Sequence, residues 1–145
     1  MTKSFTSESN ISINAPREVV WEALTNPEQV KQWFFGTELT TTWQLGDPIV
    51  FRGEWQGSTY EDKGTIVAIK QGEMFEYTHF SSRTGLPDVP ENYEQVAFYL
   101  SNDAPDSTTV TVKESNLKTK EHRETSLKLW PMILGNLKNL VEQQG

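Results

Sequence analysis

The C-terminal segment has the longest periodic pattern in the sequence, and it predicts an amphipathic helix over residues 120–143. Three- and four-residue steps between apolar side chains place them on one stripe of an α-helix. The stripe consists of Leu127, Trp130, Ile133, Leu134, Leu137, Leu140 and Val141. An isolated helix of this kind is marginal in water, so its stripe needs a surface supplied by the rest of the chain. Pro131 lacks an amide proton, so we expect a kink or a restart there.

The segments before this helix mostly alternate apolar and polar residues with a period of two, which is typical of half-buried strands. Seven segments fit this pattern: 4–14, 38–43, 48–55, 60–70, 74–81, 93–101 and 108–115. Turn residues separate the last six, which favours an antiparallel meander. Two short helices, 16–25 and 28–33, follow the first strand and are divided at Asn26 and Pro27.

This order of elements predicts an α+β fold in which a curved antiparallel sheet of about seven strands wraps around the long C-terminal helix. The two short helices would close one end of the sheet. Because the sheet and the helix need not meet along their whole length, we expect a cavity between them at the other end.

Composition limits the classes of function. A chain of 145 residues with 35% hydrophobic side chains fits a single domain over residues 1–145. The chain has no cysteine, which excludes disulfides and thiolate chemistry. A formal net charge of −7 without a basic cluster argues against nucleic acid and anionic membrane surfaces as partners. No apolar run long enough for a membrane span and no leader is evident, so we expect a cytoplasmic protein.

The supply of aromatic side chains suggests a pocket for an apolar or aromatic ligand, although core packing accounts for most residues of this type. Strand alternation directs several of them toward the helix, and others lie at the end of the second short helix. The predicted ligand-binding residues are Trp33, Phe34, Phe51, Trp55, Tyr77, His79, Phe98 and Trp130. Trp130 is the residue of the long helix that we expect to touch a ligand.

Two polar residues are candidates for catalysis. His79 shares the inward parity of Phe75 and Tyr77, where a neutral imidazole could act as a general base, and Glu114 shares the parity of Val110 and Val112. No metal-ligand spacing or phosphate-binding loop is present, so we expect neither a metal nor a cofactor. His122 is expected to be solvated. The other strand carboxylates are interpreted as outward-facing or in turns: Glu54, Glu61, Asp62, Glu73 and Glu76.

The loop over residues 82–92 is longer than its neighbours. It is interpreted either as a surface connection or as a lid over the mouth of the cavity. Arg83, within this loop, could meet an anionic group of a ligand.

The segment APREVVWEALTNPE at residues 15–28, followed by QWF at 32–34, resembles the opening signature of the family related to the activator of heat-shock protein 90 ATPase. WQLGDP at 43–48, KGTI at 63–66 and GNLKNL at 135–140 are also similar to that family. The resemblance implies the START-like (SRPBCC) helix-grip fold, shared with the birch-pollen allergen and polyketide cyclases. It is specific for the fold and not for an activity.

Three hypotheses of function follow. The first is binding of a small hydrophobic or aromatic molecule between the sheet and the C-terminal helix, without catalysis. The second, implied by the resemblance, is a chaperone-interaction module, although the eukaryotic activator has an additional N-terminal domain for which this chain has no room. The third is a cyclase-like or hydrolase-like enzyme that uses His79. The sequence does not decide between a monomer and a homodimer.

Overall fold

The computed structural model describes residues 4–144, apart from the side chains of Trp55 and Gln144. Its elements, in chain order, are β1 (Phe5–Ile13), α1 (Arg17–Thr25), α2 (Pro27–Trp33), β2 (Glu38–Thr40), β3 (Pro48–Trp55), β4 (Ser58–Lys70), β5 (Met74–Ser81), β6 (Glu94–Ala104), β7 (Ser107–Leu117) and α3 (Lys120–Gln144). Two short 3₁₀ helices, Ser82–Thr84 and Pro90–Asn92, lie between β5 and β6. The predicted helix-grip α+β architecture is confirmed. Within residues 4–144, no helix is long and apolar enough to cross a membrane.

The seven strands form one antiparallel sheet in the order β1-β7-β6-β5-β4-β3-β2. Consecutive strands from β2 to β7 are neighbours, as expected for a meander, and β1 adds to the far side of β7. The turn from β3 to β4 is formed by Gln56 and Gly57, which both have positive φ angles, of 51° and 81°. This conformation matches the twist of a tight two-residue hairpin.

The two short helices meet at Asn26, which ends α1 and caps α2. Its side chain accepts a hydrogen bond from the backbone N–H of Glu28, and Pro27 occupies the first turn of α2. The indole Nε1 of Trp33 donates to the carbonyl oxygen of Ala23 at 2.8 Å. This buried hydrogen bond holds α2 against α1.

The helix α3 packs on the concave face of the sheet through a stripe of buried residues: Ser126, Trp130, Ile133, Leu134, Leu137 and Val141. The predicted stripe was wrong at Leu127, which is exposed, because Ser126 occupies the buried position one turn before Trp130. The helix continues through Pro131 as a single element, so of the two expected outcomes the restart does not occur, and the kink stays a prediction.

The ends of some strands differ from the sequence pattern for local reasons. The strand predicted over 38–43 ends at Thr40, and Trp43 adopts a positive φ of 58°. The pairing of β4 with β5 shifts between Ile66 and Ala68, which marks a β-bulge. Because of this bulge, Ile66 and Ile69 both lie opposite inward-facing residues of β5, Tyr77 and Phe75.

Candidate functional site

A cavity of about 510 Å³ lies between the concave face of the sheet and the first half of α3. Its apolar lining combines aromatic and aliphatic side chains: Phe34, Phe35, Phe51, Tyr77, Val96, Leu129, Trp130, Met132 and Ile133. Phe35, Leu129 and Met132 are exposed and therefore lie at its mouth. The volume falls in the range of small-molecule sites in proteins, about 300–1,000 Å³.

The structure brings five of the predicted ligand-binding residues to the wall of this cavity: Phe34, Phe51, Tyr77, His79 and Trp130. Trp33 and Phe98 are buried behind that wall. The Trp33 ring stacks on Phe34 with centroids 5.4 Å apart, and Phe98 contacts the ring of Trp130 edge-on at 5.7 Å. Their role is to support the lining residues. The side chain of Trp55, the remaining predicted residue, lies outside the described part of the chain.

A row of five charged or titratable side chains crosses the cavity wall. It runs from Arg83 through Asp62, His79 and Glu94 to His122, and all five line the cavity. Arg83 Nη2 lies 3.3 Å from Asp62 Oδ2, and His79 Nε2 lies 3.2 Å from the same oxygen. On the other side, His79 Nδ1 is 3.8 Å from Glu94 Oε2, and His122 Nδ1 is 3.2 Å from Glu94 Oε1. This charged row connects β4, β5, β6 and α3.

The position of His79 between two carboxylates controls its protonation. Burial alone would lower the pKa of its imidazole, but the hydrogen bonds and charges of Asp62 and Glu94 outweigh burial and raise the pKa to about 9. The imidazolium is therefore the main form at neutral pH, and an imidazolium cannot accept a proton. This environment disfavours a role for His79 as a general base.

Asp62 was expected to face outward or lie in a turn, and that expectation was wrong. It is buried, with 7% of its side chain exposed, because Tyr60, Asp62, Gly64 and Ile66 alternate onto the concave face of β4. Burial raises the pKa of its carboxyl, but hydrogen bonding and charge from His79, together with Ser81 and Arg83, hold the pKa below its ordinary value. Its second oxygen, Oδ1, is enclosed by protein and has no accessible surface toward the cavity.

The second catalytic candidate, Glu114, lies in the same cavity wall but has a different partner. Its Oε1 accepts a hydrogen bond from the hydroxyl of Ser7 at 3.1 Å. The carboxylates that contact His79 are instead Asp62 and Glu94. Glu94 was not singled out from the sequence, although it shares the parity of Val96, which also lines the cavity.

His122 was expected to be solvated, but it is half-buried and pairs with Glu94. It reaches the cavity because the first turns of α3 pass over the start of β6. Glu94 and His122 are far apart in the sequence, so no short sequence motif could predict their contact.

The loop after β5 contributes Arg83 to the cavity, and its remaining part contacts the outer face of the sheet. The Arg83 guanidinium lies 4.2 Å from the centre of the Tyr60 ring. Asp88 pairs with Lys63 Nζ at 2.5 Å and accepts a hydrogen bond from the Tyr93 hydroxyl at 2.6 Å. Only the beginning of this loop, around Arg83, is therefore in the position of the predicted lid.

A larger depression of about 680 Å³ lies along β1, β6 and β7. It is lined mainly by polar and charged side chains such as Glu8, Gln95 and Lys113, and it lacks a cluster of aromatic rings. Among residues 4–144, no group of three or more histidines and carboxylates is arranged to hold a metal ion. The aromatic cavity is therefore the better candidate for a functional site.

The sequence signature of the Activator of Hsp90 ATPase homolog 1-like proteins matches residues 14–142. The chain belongs to this family. The predicted resemblance is thereby confirmed over nearly the whole chain. No curated protein sequence matches the chain significantly.

Two solved structures resemble the chain over nearly its whole length. ChR145 from Cytophaga hutchinsonii is 39% identical, with a TM-score of 0.83 over 99% of this chain and 97% of its own. The Aha1 dimer from Colwellia psychrerythraea is 18% identical, with a TM-score of 0.72 over 95% of this chain and 96% of its own.

DynU16, a protein of the dynemicin biosynthetic locus, is 22% identical, with a TM-score of 0.75 over 94% of this chain and 47% of its own. Like the Aha1 dimer, it is similar to this chain at the level of the fold.

Proposed function

We propose that this protein binds a small hydrophobic or aromatic molecule in the cavity between the sheet and α3. The observation that carries the proposal is a cavity of about 510 Å³ with aromatic walls and an exposed apolar mouth. Phe34 and Trp130 meet across the α2–α3 boundary with ring centroids 6.0 Å apart, and Phe51 lies 5.3 Å from Tyr77 on the sheet. These rings offer faces and edges against which a flat apolar ligand can pack.

A blocking variant tests this proposal. Thr125 is exposed and lines the cavity, so Thr125→Trp is expected to fill part of it with little effect on the core. Lys128→Trp adds the same ring to the same helix away from the cavity lining and serves as the control. The measurement is thermal stabilisation by a panel of apolar and aromatic compounds, combined with native mass spectrometry of the purified protein. Stabilisation of the wild type and of Lys128→Trp, but not of Thr125→Trp, supports binding in the cavity. No stabilisation of the wild type by any compound, and no co-purified molecule, contradicts the proposal.

The family match supports a second candidate, a chaperone-interaction module. The family is described by activation of the Hsp90 ATPase, and the match covers residues 14–142. The experiment is a pull-down with the Hsp90 of the same cell, together with its rate of ATP hydrolysis at increasing concentrations of this protein. Retention on the chaperone with a faster ATPase supports this function, and the absence of both removes it.

The charged row bears on the third hypothesis, an enzyme that uses His79. A protonated His79 is suited to donating a hydrogen bond or a proton, not to abstracting one. If the cavity supports turnover, His79→Gln abolishes it while the far-ultraviolet circular dichroism spectrum stays unchanged. Full turnover in that variant excludes His79 as the catalytic group.

A further inference from the structure

Glu114 is a buried carboxylate in the cavity wall that has no cationic partner. Only 7% of the residue is exposed, and its Oε1 accepts a hydrogen bond from the Ser7 hydroxyl. Among the described residues, no basic side chain forms an ion pair with it. Its second oxygen, Oε2, has no partner in the same part of the chain and, unlike Asp62 Oδ1, is not fully enclosed. A carboxylate buried to this extent needs a positive charge to offset the loss of its hydration.

The basic residues next to Glu114 contact other groups. Lys113, its neighbour on β7, points to the opposite face of the sheet, and its Nζ lies 3.6 Å from Glu8 Oε1. Arg123 of α3 places its guanidinium 5.1 Å from the centre of the Phe5 ring. Neither residue lines the aromatic cavity. The charge of Glu114 is therefore not neutralised from its own strand or from the start of α3.

The lining of the cavity carries more negative than positive groups. Its four carboxylates are Glu54, Asp62, Glu94 and Glu114, and its three basic side chains are His79, Arg83 and His122. All three basic side chains contact Asp62 or Glu94 within the charged row. Even with both histidines protonated, the four carboxylates outnumber the cations, and Glu114 is the buried one left without a partner. The electrostatic potential of the cavity therefore favours a cationic ligand.

Two hydroxyl groups that open to the same cavity supply further hydrogen-bond acceptors. Tyr77 and Ser126 are each 5% exposed and line the cavity. Their hydroxyl oxygens have no partner among the described residues, and neither oxygen is fully enclosed. Tyr77 and Glu114 flank Val96 in register on the concave face of the sheet. A group that lies between them therefore meets a hydroxyl on one side and a carboxylate oxygen on the other.

The Tyr77 hydroxyl stays neutral, so it accepts a hydrogen bond without adding a further charge. Burial, together with the charges of Glu114 and Glu94, raises the pKa of this hydroxyl above its ordinary value. The influence of Glu114 on Tyr77 also shows that the two side chains are close in the cavity wall, although they do not hydrogen-bond to each other.

We propose that the ligand is a primary amine with an aromatic body, whose ammonium group donates hydrogen bonds to Glu114 Oε2 and to the Tyr77 hydroxyl while its ring packs among Phe34, Phe51 and Trp130. This inference rests on the proposed function of ligand binding in the cavity and names the class of ligand. An ammonium group has three donors and no acceptor, which fits a site that offers acceptor oxygens. The surrounding aromatic rings attract a cation further.

Two probes of nearly equal size, 2-(aminomethyl)naphthalene and 2-(hydroxymethyl)naphthalene, test the inference in the wild-type protein. They share the ring and the methylene group and differ in an ammonium against a hydroxyl group. Dissociation constants are measured from ¹H–¹⁵N chemical-shift titrations at pH 7. We expect the amine to bind about tenfold more tightly, since it pairs a charged donor with a buried carboxylate. We also expect the ¹³Cδ resonance of Glu114 to shift when the amine binds.

A pair of variants localises the preference. Glu114→Gln removes the charge but keeps an acceptor oxygen for Ser7, and we expect the preference for the amine to fall to about threefold or less. Glu8→Gln makes the same chemical change at an exposed residue on the opposite face of the sheet and should leave the preference unchanged.

The outcomes separate this inference from the proposed function. If neither probe binds the wild type, the proposed function fails and the inference fails with it. If the alcohol binds as tightly as the amine or more tightly, or if Glu114→Gln keeps the full preference, the cavity binds ligands but the inference is overturned. The comparison of probes needs no variant, so it remains decisive even if Glu114→Gln does not fold.

Discussion

Replacement of His79 by Gln should change how the stability of the protein depends on pH. In the folded protein the pKa of His79 is raised from 6.5 to about 9, because Asp62 and Glu94 stabilise the imidazolium more than burial destabilises it. A tenfold change in proton affinity corresponds to about 1.4 kcal/mol, so proton binding by His79 is linked to about 3 kcal/mol of folding free energy. The imidazole is largely buried, with 25% of its side chain exposed, so solvent screening is limited.

The raised pKa of His79 determines whether its contribution to stability rises or falls with pH. The folded state holds the proton more tightly than the unfolded state, so this stabilisation is complete below pH 6.5 and is lost as the pH rises through about 9. We therefore expect the free energy of unfolding of the wild type, relative to His79→Gln, to fall by about 3 kcal/mol between pH 6 and pH 9.5. The comparison at each pH removes the contributions of all other titrating groups that the two proteins share.

The assay is urea denaturation followed by circular dichroism at intervals across this pH range, for the wild type and for His79→Gln. An NMR titration of the His79 imidazole carbons gives the folded-state pKa independently. A constant difference in unfolding free energy from pH 6 to pH 9.5, or an imidazole that titrates at 6.5 or below, would refute the reasoning. Either result would mean that the two carboxylates do not stabilise the imidazolium as their distances indicate.

Three further predictions concern stability, and urea denaturation checks each of them. Gly64→Ala should destabilise the protein by more than about 3 kcal/mol or prevent folding, since a Cβ there would lie 1.6 Å from the carbonyl oxygen of Thr78. Near-wild-type stability of this variant would show that β4 and β5 separate easily. Gly135→Ala places a methyl group in open space within α3 and should stabilise by about 0.5–1 kcal/mol, so a loss of stability would contradict the helix environment. Leu134→Ala, at a fully buried position, should lower the free energy of unfolding by about 2–5 kcal/mol, whereas Met132→Ala, at an exposed position, should lower it by less than about 1 kcal/mol. Equal losses in the two variants would contradict the orientation of the helix.

The fold was predictable because the sequence pattern and the turn chemistry agree along most of the chain. Strand alternation placed Phe51, Tyr77 and Val96 on the concave face, and each of them lines the cavity. The pair Asn26 and Pro27 correctly divided the two short helices. These features depend on neighbouring residues, which a sequence displays directly.

The charged row was less predictable because it depends on register and on contacts between distant residues. Counting back from Ile66 in steps of two places Asp62 on the concave face, but counting back from Ile69 places it on the outer face. The bulge between Ile66 and Ala68 changes the alternation between these two isoleucines, so the count from Ile66 is the correct one for Asp62. The local sequence contains no signal that predicts this bulge. The contact between Glu94 and His122 likewise requires the position of α3 over the sheet.

Pro131 divides α3 into two parts that differ in local stability. Pro131 has no amide proton, so it donates no hydrogen bond to the turn before it. Of the α3 residues that come before Pro131, only Ser126 and Trp130 are buried. Leu134, Leu137 and Val141, which follow it, are fixed in the core. Amide hydrogen exchange should therefore be faster before Pro131 than after it. Local unfolding of the first three turns would uncover the cavity while the second half of the helix holds the sheet together, which gives a ligand a path inward that does not require global unfolding.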